Sequence, residues 1–204
     1  MEEGDFELLE AWRAGDRAAG SRLFDRHFPA LYRFFRGKLA EGVEDLIQTV
    51  FLACQSSSVP LRREASFRGY LFTVAKNELY RRFRERRREG VLDLSLSSLE
   101  DMGISPRSIV AQHEEQRLLL AALRRIPVEL QLIIELHYWE ELSGPELAAA
   151  LEIREGTVRS RLRRAREALE REIAKLGQGE LLRSTLTGFE SWARSLKDCH
   201  SPPE

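Results

Sequence analysis

The chain has 204 residues, of which 43% are hydrophobic and 32% charged, with a net charge of −1. It is apolar enough for one or two packed domains and too apolar for a disordered chain. No run of about eighteen apolar residues is present, so a membrane-spanning helix and membrane insertion are not expected, and the acidic start Met1–Glu10 lacks the features of a secretory signal, which points to a cytoplasmic protein.

In chain order, the first predicted helix is Phe6–Ala14, with Phe6, Leu9 and Trp12 at helical spacing and Gly15 ending it. A second is expected over Arg17–Phe28. Pro29 is expected to open a third, because its missing N–H costs nothing in a first turn. That third helix carries Leu31, Phe34, Phe35 and Leu39. Glu44–Gln55 follows, with Leu46, Ile47, Val50, Phe51 and Cys54 inward. Ser56–Ser66, rich in serine and containing Pro60, reads as a loop. Phe67–Arg88 reads as a long helix that ends in a run of arginines.

From Gly90 to Arg107 the helical stripe disappears among Ser, Asp, Gly and Pro, which reads as a linker. Helical signal resumes near Ser108 and is interrupted at Pro127. Glu129–Trp139 forms the next helix and two more follow. After the Gly177-Gln178-Gly179 break, Leu181, Leu182, Thr185, Leu186, Phe189, Trp192 and Leu196 fit a single amphipathic helix. Such a tail packs on one of the domains or binds a regulator. The expected fold is all-α: two small helical domains, residues 1–89 and 110–176, joined by a flexible linker, 90–109, with a helical extension, 177–204.

Nothing in the sequence starts an enzyme reading. Cys54 and Cys199 are far apart, and His27, His113, His137 and His200 are scattered, so no metal-ligand spacing exists. No glycine-rich phosphate loop or nucleophile elbow is present. No catalytic residue, cofactor or metal is expected.

The charge is unevenly spread. Residues 61–90 hold 10 basic and 4 acidic groups, and residues 154–176 hold 8 and 4. The stretch between them, 91–153, holds 4 and 11. Basic segments beside phosphate gain affinity by releasing counterions, and acidic segments are left for other contacts.

The sharpest local pattern is Ser143–Ile173. Ser143-Gly144-Pro145-Glu146 is a capping box with Pro in the first turn. Leu147, Ala148 and Leu151 make a short apolar face, and Ile153-Arg154-Glu155-Gly156 is a tight connection. A second helix then starts near Thr157, with Val158 and Leu162 inward and Arg159, Ser160, Arg163 and Arg164 outward. This is a helix-turn-helix, whose second helix presents its early residues to the major groove. Arg pairs with guanine O6 and N7, and Ser accepts several bases. The candidate duplex contacts are Arg154, Thr157, Arg159, Ser160, Arg163 and Arg164.

The run Thr157-Val158-Arg159-Ser160-Arg161-Leu162-Arg163-Arg164-Ala165-Arg166 resembles the recognition helix of the C-terminal domain of bacterial sigma factors. Leu123–Pro127 and Gln131–Ile134 resemble that domain's first helices. Glu44-Asp45-Leu46-Ile47-Gln48-Thr49-Val50-Phe51 is similar to the polymerase-binding helix of the N-terminal domain. Phe67–Asn77 with the arginine run resembles the minus-10 helix. The two sets in this order, with a short linker, resemble the extracytoplasmic-function (ECF) group. The resemblance implies that Glu44, Asp45, Leu46 and Gln48 contact the β′ subunit of core RNA polymerase. It implies that Arg68, Asn77, Arg81, Arg82 and Arg84 meet the minus-10 element, and that the helix-turn-helix reads the minus-35 element. It further implies the β subunit, promoter DNA and an anti-sigma factor as partners. Thr49 stands where the family usually has an acidic residue. A self-standing helix-turn-helix regulator is the alternative, and it predicts specific duplex binding without polymerase.

Overall fold

The computed structural model describes residues 4–57, 66–86, 93–103 and 113–199. Among them lie ten helices and one isolated bridge, Ser98 to Pro127. The N-terminal unit is α1 (Asp5–Arg13), α2 (Arg17–Arg36), α3 (Val43–Ser56) and α4 (Phe67–Arg86). The C-terminal unit is α5 (Glu114–Leu123), α6 (Val128–Tyr138), α7 (Gly144–Leu151) and α8 (Glu155–Leu176), with α9 (Gly179–Thr187) and α10 (Phe189–Cys199) beyond.

The first helix ends where expected, at Gly15 with φ 108°. Asp16 then caps α2, its Oδ1 accepting from the N–H groups of Ala18 (2.8 Å) and Ala19 (3.1 Å). The expected break at Pro29 does not occur: α2 runs through it to Arg36. A proline inside a helix frees the carbonyl four residues earlier. Here that residue is Asp25, which is exposed, so water can take the bond. Leu23, His27, Leu31, Phe34 and Phe35 keep one continuous buried face across the proline. Arg13 ties α1 to the end of α3, donating from Nη2 (2.6 Å) and Nε (3.2 Å) to the Cys54 carbonyl.

Helix α4 has no single apolar stripe because it is covered on two sides. Phe67, Leu71, Phe72, Ala75, Leu79 and Phe83 enter the N-terminal core. A second stripe, with Gly69, Thr73 and Lys76, lies against α7 of the other unit. A Cβ added at Gly69 would stand 3.3 Å from the Ala149 Cβ and 3.4 Å from the Glu146 carbonyl oxygen, so only a glycine lets the helices approach this closely.

The middle of the linker is tied to the C-terminal unit. Leu94 and Leu99 are buried. The first N–H groups of α6 have no partner within their own helix. Val128 donates instead to the Ser97 carbonyl (3.0 Å) and Glu129 to the Leu94 carbonyl (3.2 Å). The Glu100 N–H takes the Arg124 carbonyl at the end of α5 (3.1 Å), and Arg125 Nε reaches the Glu100 carboxylate at 2.7 Å. Residues 93–103 therefore form a strap that caps both ends of the α5–α6 corner. The expected loop 56–66 lies outside the described residues at 58–65, and Ser56 closes α3.

The extension packs on the C-terminal unit, against α5, α6 and α8. It is two helices and not the single one expected. Its break is at Gly188, where a Cβ would meet the Trp192 ring at 2.8 Å. The turn rotates α10 so that Phe189, Ala193 and Leu196 are buried. The Trp139 indole N–H donates to the Ala193 carbonyl at 2.7 Å, inside the core. Gln116 Nε2 donates to Ser195 Oγ (3.0 Å) and Ser184 Oγ to Glu115 (2.9 Å).

Candidate nucleic-acid interface

The helix-turn-helix forms from the expected local signals. The Ser143 N–H donates to Glu146 Oε2 at 2.8 Å and the Ser143 hydroxyl to the same oxygen at 2.7 Å, which completes the capping box. Helix α7 ends at Glu152, whose φ of 54° turns the chain in the left-handed region. Helix α8 begins at Glu155, two residues before the expected Thr157, with Arg154 as its N-cap. Val158, Ala165, Ala168, Leu169 and Ile173 face inward.

All six expected duplex contacts are exposed: Arg154, Thr157, Arg159, Ser160, Arg163 and Arg164. The Ser160 hydroxyl donates to the Thr157 carbonyl at 2.9 Å, which leaves its lone pairs as acceptors for a base amine. Arg163, 76% exposed, is loosely paired with Glu167 at 3.6 Å. A pair so exposed exchanges readily for phosphate or a base edge. Arg161 differs: it points back to Glu129 of α6 at 3.4 Å and is half-buried. Arg166 is held by Glu170 (2.9 Å) and lies 4.9 Å from the centre of the Phe189 ring, so the extension braces the reading helix from behind.

On α4 the structure gathers part of the expected set. Asn77, Arg81 and Arg84 share one exposed face at helical spacing. Arg81 is gripped by Glu78 (2.6 Å) and Glu85 (3.0 Å), whose anions raise its pKa above the ordinary arginine value. Arg82 is exposed on a different side. Arg68 does not join them: it donates to the Glu140 backbone carbonyl and stands 3.9 Å from the Glu140 carboxylate, at the joint between the units.

On α3, Glu44, Asp45 and Gln48 are exposed, as expected. Leu46 is 7% exposed and Ile47 fully buried, so both belong to the core and do not straddle the surface. Thr49 turns its hydroxyl onto the Asp45 carbonyl at 2.9 Å. The apolar member of this face is Leu52, 58% exposed, four residues beyond Gln48. Gln48 and Leu52 edge a groove of about 400 Å³ that also touches Trp12, Arg17, Phe24 and Phe51. Sequence reading missed Leu52, although its spacing from Gln48 placed it off the buried stripe.

Sequence reading also missed a polar cluster between the units. Arg33 makes a bidentate pair with Glu140, both bonds 2.8 Å. Lys38, fully buried, pairs with Glu135, which also accepts from Gln131 Nε2 at 2.6 Å. Burial pushes the Glu135 carboxyl up and the Lys38 ammonium down from their ordinary values, each opposed by the charge of the other. Lys76 pairs with Glu152, and Ser66 donates to Glu146. The available signal was the charged residues Glu135 and Glu140 inside an otherwise apolar run.

Among the described residues no group of three or more His, Cys, Asp or Glu side chains is placed to hold a metal ion, and no helix is long and apolar enough to cross a membrane.

The comparisons with known proteins match both units. Residues 23–89 match the family described as Sigma-70 region 2, and residues 116–169 match Sigma-70, region 4. The chain is 31% identical over 185 residues to the ECF RNA polymerase sigma factor SigM of Mycobacterium tuberculosis (strain ATCC 25618 / H37Rv), covering 89% of this chain and 91% of that protein. It is 26% identical over 179 residues to the ECF RNA polymerase sigma-E factor of Escherichia coli (strain K12), covering 83% and 94%. Its fold is similar to CnrH, solved in complex with the cytosolic domain of CnrY, with TM-score 0.62, 23% identity and coverage of 86% of this chain and 100% of that one. It is also similar to the sigma factor RpoE, solved with the anti-sigma factor NepR from Bartonella quintana, with TM-score 0.57, 24% identity and coverage of 78% and 98%.

Proposed function

The chain belongs to the extracytoplasmic-function RNA polymerase sigma factors, and from that premise we propose how its surfaces divide the work of promoter recognition. It binds core polymerase and directs promoter-specific initiation. The face of α3 formed by Glu44, Asp45, Gln48 and Leu52 docks on the β′ subunit. The Asn77, Arg81 and Arg84 stripe of α4 meets the minus-10 element, with Arg82 and, once released from Glu140, Arg68 on the flanking phosphates. The N-terminal residues of α8 read the minus-35 duplex. Region 4 also offers a surface to the β subunit.

The protein performs no covalent chemistry of its own and works in the cytoplasm, where polymerase is. Two weak readers on one rigid polymerase raise each other's effective concentration, so neither needs to bind DNA tightly alone. Two of the similar structures were solved with the cytosolic domain or anti-sigma partner named above, and an anti-sigma factor is the regulatory partner we assign to this chain.

The observation that carries this reading is the six-residue exposed basic and polar face of α8, set behind the capped α7. The experiment is transcription by bacterial core polymerase on a promoter library, with and without the chain. Start sites that depend on the protein and share upstream minus-35 and minus-10 elements are expected. Specific duplex binding by the chain alone, with no polymerase-dependent start sites, would transfer the assignment to a self-standing regulator.

A further inference from the structure

The joint between the units is built from charge and not from apolar side chains. Arg33–Glu140, Lys38–Glu135 and Lys76–Glu152 cross it, with Arg68 on the Glu140 carbonyl and Ser66 on Glu146. Thr73 Oγ donates to the Ala149 carbonyl at 3.0 Å. Separated leucines would be left facing water. Separated charges are rehydrated instead, so a joint of this kind opens far more readily than a hydrophobic core.

The joint is also incompatible with promoter reading. The minus-10 and minus-35 elements lie about 25 base pairs apart, roughly 85 Å of B-DNA at 3.4 Å per pair. Helix α4 spans only about 30 Å at 1.5 Å per residue, and it lies directly against α7, the first helix of the other reader. The two readers therefore cannot occupy both elements while the joint is closed. The strap shortens the reach further. While residues 93–103 are held, only residues 87–92 connect the units, a span of about 25 Å when fully extended; released to residue 113, the connection reaches about 90 Å.

We propose that this joint is an autoinhibitory clasp: in the free chain α7 and the Glu135–Glu140 segment close on α4 and the end of α2, and loading onto polymerase opens them. The proposal rests on the sigma factor reading, because that reading supplies the distance the two units must span. The closed state hides Arg68 and the Thr73 stripe and keeps the free factor off DNA. Opening returns both to the promoter.

The test is single-molecule energy transfer between dyes on cysteines placed at Glu41 and Arg171, both exposed, in a Cys199→Ser background. The free chain is expected to show a single high-transfer population. Gly69→Leu puts a side chain into the contact with Ala149 while favouring α4 as a helix, and is expected to raise the low-transfer fraction at least about 10-fold. Lys76→Glu does the same by setting like charges together, and adding Glu152→Lys restores the closed population. Circular dichroism confirms that helix content is kept. Addition of core polymerase moves the parent chain to low transfer.

If the free parent chain shows the same transfer as Gly69→Leu, or the charge swap fails to reclose Lys76→Glu, the clasp is overturned. If the free chain is closed and both variants open it, but core polymerase neither binds nor opens it, the clasp stands and the sigma reading is what fails.

Discussion

Cys54 shows how far one side chain's behaviour follows from its neighbours. It is fully buried on α3, and burial pushes its thiol up to about 12, against smaller opposing effects of a Tyr70 hydrogen bond and the Arg13 charge. The thiolate is the reactive form, so the native side chain is inert. In a Cys199→Ser background, iodoacetamide at pH 8 should leave Cys54 unmodified until denaturant is added, as mass spectrometry would record. The sign of the linked stability follows. A raised folded value contributes stability that is present below the unfolded pKa of about 9 and is lost as pH climbs toward 12. Rapid labelling of the native chain at pH 8 would mean that the α1–α3 packing opens easily. Leu46 and Leu52 make a second point at this scale. Both are leucines on one helix flanking the same polar residues, yet one is core and the other surface, and only the position of α2 and α4 around α3 separates them.

At the scale of elements, the extension is the part whose place the sequence left open. Its apolar stripe was legible, but its partner was not. The structure shows Phe189, Ala193 and Leu196 buried against α5 and α6, with the Trp139 N–H satisfied only through the α10 backbone. Truncation before Gly188 would remove these side chains from the core and orphan a buried donor. The expected loss is about 3 kcal/mol or more of C-terminal unit stability, counting one Phe and one Leu at about 1.5–3 kcal/mol each. Urea unfolding of the truncated chain would measure it; an unchanged midpoint would show that α10 is a detachable element. Helix α2 illustrates the opposite kind of surprise. Pro29 is a strong local stop signal, but the continuous buried face from Leu23 to Phe35 outweighs it, because losing one exposed hydrogen bond costs less than splitting that face.

For the whole molecule, acid stability reports on carboxylates in two different settings. Asp5 is raised by burial but lowered on balance by hydrogen bonds and charge from His27 and Arg26. Glu146 is likewise raised by burial and lowered overall by Ser66, Ser143 and Arg68. Both are depressed carboxylates, so their contributions are complete above the unfolded values of 3.8 and 4.5 and are lost as pH falls through the lower folded values. Calorimetry should therefore show Tm falling steadily from pH 5 to pH 3. Asp5→Asn should flatten part of that fall, since its amide does not titrate; an unchanged slope would remove Asp5 from the account. Glu146 sits at the joint, so its protonation also weakens the closed arrangement.

The helices, their caps, the helix-turn-helix and the two basic segments were legible in the sequence by itself. Each depends on residues within a few positions of one another: the Ser143–Glu146 box, the spacing of Val158 to Ile173, and the arginines of α4 and α8 left outside the apolar stripes. Only the tertiary structure decided that α2 crosses Pro29, that Leu46 is core, that the extension folds as two helices, and that Arg68 faces Glu140 and not the Asn77 stripe. Those outcomes are settled by partners far along the chain, Arg33 with Glu140 or Trp139 with Ala193. Periodicity says which face of a helix must be covered, but it carries no information about which distant segment covers it.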